Sequence, residues 1–64
     1  MKKIKTCSIT NNRSVTVVTH NGKFYSAIEE NNELHFVREF ETDRNSAYSD
    51  YYQRAALNGV KPKD

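Results

Sequence analysis

The side chains best suited to nucleophilic or metal chemistry in this sequence are His20, His35 and Cys7, the only histidines and the only cysteine among 64 residues. Their spacing supports neither chemistry. Zinc sites draw on ligands set a few residues apart in pairs, and no such pair exists here. A lone cysteine also rules out an internal disulfide and reads as a small buried hydrophobe. Glu29, Glu30 and Glu33 gather around one turn, where two carboxylates could share acid and base roles. That work needs burial to separate their pKa values, and a turn carrying Asn31 and Asn32 is solvated. Serine, histidine and aspartate occur without a nucleophile elbow to bring them together. Both glycines, Gly22 and Gly59, are used at a turn and at a helix end, which leaves none for a phosphate loop. The expectation is a non-enzymatic protein with no cofactor and no metal.

A second group of residues is more informative. Tyr48, Tyr51, Tyr52 and Ala55 fall at i, i+3, i+4 and i+7, one face of a helix, with Asp50, Gln53 and Arg54 off that face. Their simplest role is packing on a sheet. Four tyrosines, counting Tyr25, exceed what one small core face needs, and tyrosine is enriched where proteins bind one another.

The elements that must position these residues follow from the pattern around Ser14 to Ile28. Asn21-Gly22 suits the two positive-φ positions of a type I′ turn, and β-branched and aromatic residues flank it on both sides. A two-residue turn pairs His20 with Lys23, Thr19 with Phe24, Val17 with Ser26 and Val15 with Ile28. Val15, Val17, Phe24 and Ile28 then share one face; Thr16, Val18, Tyr25 and Ala27 share the other, so neither face is fully polar. Before this hairpin, residues 3–10 form an edge strand. The broken alternation between Ile4 and Cys7 suggests a bulge, and Lys2, Lys3 and Lys5 discourage edge pairing. Asn11-Asn12-Arg13 has the chemistry of a turn through left-handed conformations. After Glu29–Glu33, read as a loop of three or four residues, residues 34–40 form a strand with Leu34, Phe36 and Phe40 on one face and Val37 on the other. The loop length sets which face of the hairpin each set joins. Thr42 or Asp43 caps a helix over residues 44–57, and Asn58-Gly59 with Pro62 stops it.

The expected architecture is therefore α+β in a single domain, residues 1–64. An antiparallel meander of three to four strands (about 3–10, 14–20, 23–29 and 34–40) is followed by one C-terminal helix packed on the sheet, with a loose tail at 60–64. The opening Met-Lys-Lys-Ile-Lys resembles the start of a signal peptide, but Thr6–Asn11 is too polar to continue one, so the expected location is the cytoplasm. No window is apolar enough to span a bilayer.

From Gly22 to Gly59 the sequence resembles a known family. Gly22-Lys23-Phe24 with Ile28, then Phe40-Glu41-Thr42, then an alanine- and tyrosine-rich helix ending at Gly59, is similar to the AP2 domain of plant transcription factors and its relatives in phage integrases and homing endonucleases. The resemblance implies a three-stranded sheet on one helix, with the sheet's outer face in the DNA major groove. The positions that carry DNA-contacting arginines and tryptophans in that family hold Val17, Thr19, Asn21, Ala27, Glu29, Leu34 and Phe36 here. None is basic, so the resemblance implies the fold more strongly than DNA binding.

Ten basic and eight acidic residues give a formal charge of +2, without the concentrated excess typical of nucleic-acid binders. Two functional expectations result. The first is a protein-binding module, a small inhibitor or adaptor of the sort phages and mobile elements encode, acting on a host protein such as a nucleic-acid enzyme, CRISPR effectors included. Its candidate interface is Val18, Tyr25, Ala27, Val37, Tyr48, Tyr51 and Tyr52, and a homodimer through exposed sheet surfaces is compatible with it. The alternative is an AP2-like DNA-binding accessory or regulatory protein using Lys2, Lys3, Lys5, Arg13, Lys23, Arg38, Arg44 and Arg54.

Overall fold

The computed structural model describes residues 1–63; Asp64, the last residue of the expected tail, lies outside them. Four strands and one helix follow in chain order: β1 (Lys2–Thr10), β2 (Arg13–His20), β3 (Lys23–Glu30), β4 (Glu33–Glu39) and α1 (Arg44–Leu57). The strands form one antiparallel sheet in the order β1-β2-β3-β4, and the helix packs across β2 and β3. This is the α+β meander expected from the residue pattern.

The central hairpin has the register its turn dictates. His20 pairs with Lys23, Val17 with Ser26 and Val15 with Ile28, and Asn21 and Gly22 take φ of 54° and 77°. The next hairpin turns through two residues, not three or four. Asn31 and Asn32 stand at φ 53° and 66° with Glu30 paired to Glu33, a second type I′ turn built without glycine, because asparagine tolerates the left-handed region. Asn11 and Asn12, by contrast, turn without a positive φ. The two asparagine turns lie side by side at one end of the sheet, where Asn31 N–H donates to Asn12 C=O at 3.2 Å.

Both outer strands are irregular. β1 slips register between Lys3 and Lys5 and again between Ser8 and Thr10, so Ile4, Cys7 and Ile9 all reach the helix side. The buried Thr16 hydroxyl donates to Lys5 C=O at 2.9 Å beside the first bulge. β4 slips opposite Ala27, where Phe36 takes φ 54°. This corrects the expected grouping on β4. Leu34 pairs with Glu29 and faces away from the helix with Val37, while Phe36 is turned aside beside Ile28 and Arg38. Phe40 continues the ladder past β4, its N–H donating to Phe24 C=O at 2.8 Å, and packs on the core.

Helix α1 begins at Asp43, whose carboxylate accepts from Ser46 N–H at 3.0 Å and from Ser46 Oγ at 2.6 Å. These bonds hold the Asp43 carboxyl below its ordinary pKa of 3.8. Asn58 and Gly59, at φ 74°, close the other end. Ala47, Tyr51 and Ala55 are wholly buried against Val15 and Val17. The small alanines bring the helix backbone close to the sheet. The buried stripe is therefore rotated from the expected one: Asp50 is 8 % exposed, while Tyr52 is exposed and Tyr48 half-buried. In the tail, Val60 packs on the core and Pro62 is half-buried and lines a groove with Cys7.

Candidate protein-binding face

With α1 over Val15, Val17, Phe24 and Ile28, the face of Thr16, Val18, Tyr25 and Ala27 has no helix on it. Thr16, Val18 and Ala27 are nevertheless at most 2 % exposed. They are small residues on the two central strands, and longer side chains around them cover the floor. Lys3 Nζ meets Glu29 Oε1 at 2.8 Å, joining β1 to β3 across β2. Lys23 and Glu39 approach within 3.5 Å at the other end of the sheet. Between these pairs Tyr25, Leu34 and Val37, with Met1 and His20, line a groove of about 260 Å³. Val37 is half-exposed and Met1 three-quarters exposed. On this face the accessible part of the expected interface is thus Tyr25 and Val37, with Leu34 and Met1 added. Val18 and Ala27 form its floor.

The helix tyrosines divide among different roles. Tyr51 is 0 % exposed and belongs to the core, so it cannot present a surface to a partner. Tyr52 meets Tyr51 edge to face at a centroid distance of 5.1 Å. Lys5 Nζ lies 5.1 Å from the Tyr48 ring centre and 5.8 Å from that of Tyr52, and the Arg44 guanidinium is 5.9 Å from Tyr48. The two lysine contacts tie β1 to the helix on the side away from the open face, and the arginine contact lies within α1.

The eight candidate basic residues do not all gather on one rim, although Arg13, Arg38 and Arg54 line one groove. Lys3 and Lys23 are paired with carboxylates on the open face, Arg13 approaches Glu30 at 3.6 Å beside the asparagine turns, and Lys5 and Arg44 lie on the tyrosines. Lys2 is exposed on β1. Arg38 and Arg54 both bind Asp50, through Nη1 at 2.9 Å and Nε at 2.8 Å. Sequence reasoning missed this array because charged residues read as a solvent face. The i,i+4 spacing of Asp50 and Arg54 was the available signal.

The residues first considered for chemistry remain apart. Cys7 is half-buried against the core, His20 borders the apolar groove, and His35 approaches Glu33 at 3.6 Å. Glu29, Glu30 and Glu33 each have a different partner. Among the described residues no group of three or more His, Cys, Asp or Glu is placed to hold a metal ion, and no helix is long and apolar enough to cross a membrane. Neither a family model, nor a curated protein, nor a solved structure matches the chain.

Proposed function

We propose that this chain is a non-enzymatic protein-binding module, a small inhibitor or adaptor of the phage or mobile-element type, which docks on a folded protein through the open sheet face. One observation carries the reading: Tyr25, Leu34 and Val37 ring an apolar groove on a face that the chain's own helix leaves uncovered. Lysine–glutamate pairs border that groove, which is the arrangement of an apolar centre with a polar rim. DNA binding through the same face has less support, because its charged groups are already matched and Glu29 stands among them.

The test is affinity capture of the tagged protein from host cytosol with and without nuclease, repeated with Tyr25→Asp and Val37→Asp. A stoichiometric protein partner that resists nuclease and is lost with either variant, while circular dichroism reports an intact fold, supports the reading. A partner retained by both variants would place binding elsewhere. Recovery of nucleic acid alone, with steep salt dependence, would favour the AP2-like alternative. A dimer in sedimentation that both variants dissolve would make a second copy the partner.

A further inference from the structure

The geometry points to a binding site for an aromatic phosphate at the outer rim of β4, where Phe36 stands beside three arginines. Phe36 combines two unfavourable features. It holds an aromatic L-residue at φ 54°, and it leaves its side chain in water, 78 % exposed. Backbone strain of this kind is kept where something is gained by it, and bulges re-aim side chains. Here the bulge turns Phe36 toward a groove of about 320 Å³ that it lines with Arg13, Ile28, Arg38, Arg54 and Asn58.

The polar groups of this groove are mostly donors. Asp50 gives one oxygen to Arg38 and the other to Arg54, so both are occupied by the arginines. Glu30 stands 3.6 Å from Arg13, beyond hydrogen-bond length. Three guanidinium groups against two carboxylates leave a positive excess. Arg54 Nη1 is buried without a hydrogen-bond partner among the described residues, so Asp50 does not satisfy this guanidinium completely. The C-terminal end of α1, whose partial negative charge would oppose an anion, is closed off. Asn58 Nδ2 donates to Arg54 C=O at 2.8 Å, and the Gly59 and Val60 amides take the carbonyls of Ala56 and Ala55.

Guanidinium forks arriving from different strands and from the helix suit a tetrahedral oxyanion with several acceptor oxygens better than a single carboxylate. An exposed aromatic ring next to them offers a stacking platform. The ligand class is an oxyanion joined to a flat ring. A nucleoside monophosphate and an aryl phosphate are its two sources, and the site stands independently of the open-face reading.

The experiment titrates ¹⁵N-labelled protein with AMP, phenyl phosphate, adenosine and inorganic phosphate, following backbone amide and arginine Nε–H resonances. At least one ring-bearing phosphate should shift the signals of Arg13 and of residues 36–38 and saturate below about 10 mM; adenosine and inorganic phosphate should each bind at least about tenfold more weakly. The tighter of AMP and phenyl phosphate identifies the source. Phe36→Ala and Arg13→Gln, both at partly or largely exposed positions, should each weaken binding about tenfold, while Lys23→Gln at the other end of β3 leaves it unchanged. Absence of a saturable shift overturns the proposal. So does an equal response to inorganic phosphate and AMP, or one indifferent to Phe36→Ala.

Discussion

Replacing Asp50 by alanine tests whether the array of Arg38, Asp50 and Arg54 holds the helix to the sheet rim. Asp50 is 8 % exposed, and its two arginine partners differ sharply: the Arg54 side chain is 13 % exposed and that of Arg38 is 63 %. Loss of the carboxylate lets Arg38 return to water at little cost. Arg54 cannot, and would lose its Nε partner in addition to the bond its Nη1 already lacks. Breaking a buried pair from one side costs about 3–5 kcal/mol, and because one of the two arginines is solvated the lower end, about 3 kcal/mol, applies. A chain this small has a total stability of about 3–10 kcal/mol, so the change removes between a third and all of it. The melting temperature should fall by about 12–24 °C. Urea unfolding followed by circular dichroism measures the loss, and the double variant Asp50→Leu, Arg54→Met separates its causes. If a stranded guanidinium is responsible, the apolar pair should restore most of the stability. Asp50→Ala within about 0.5 kcal/mol of the parent, or a double variant no better than the single, would refute the reasoning.

Two further outcomes follow from the backbone and the helix cap. Phe36→Asn should leave the protein as stable or up to about 1 kcal/mol more stable by urea unfolding, because asparagine tolerates the left-handed region and the exposed ring surrenders little burial; a loss larger than that would show that the ring packs. The Asp43 carboxyl has its pKa lowered by Ser46, so the cap's contribution is fully present above the ordinary value of 3.8 and disappears as pH falls through the lowered one. Asp43→Asn keeps a capping oxygen but no titration, and the unfolding midpoint of the variant should therefore depend less on pH in that acid range than the parent's. Identical pH profiles would contradict the assignment.

Much of the sheet was legible because Asn21-Gly22 fixes a two-residue turn, and a two-residue turn fixes which side chains oppose one another. The bulge in β1 was visible as a break in alternation. The register of β4 was not legible, since Glu29–Glu33 contains no glycine to betray a tight turn and asparagine supplied both left-handed positions. Nor was the slip at Phe36, where no residue type marks a positive φ. On the helix, periodicity found the right segment, but aromatic weight drew the face toward Tyr52. The close approach in fact depends on Ala47 and Ala55, residues too small to dominate a hydrophobic pattern. The candidate surface was half legible. Tyr25 and Val37 were readable as members of one of the two faces the helix could leave uncovered, whereas the grouping of Arg13, Arg38, Arg54 and Phe36 depends on the slip in β4 and on helix rotation, neither of which the sequence marks.

The irregular outer strands carry a consequence for how this protein can assemble. A sheet grows by adding strands in register along an edge, and each edge here is interrupted, β1 at Ile4 and Ile9 and β4 at Phe36. The longest uninterrupted run on β1 is the four residues Lys5–Ser8. An incoming strand would therefore lose its ladder within a few residues, which works against stacking into filaments. Faces and corners are the surfaces these interruptions leave unaffected, and an isologous contact made there would close as a dimer.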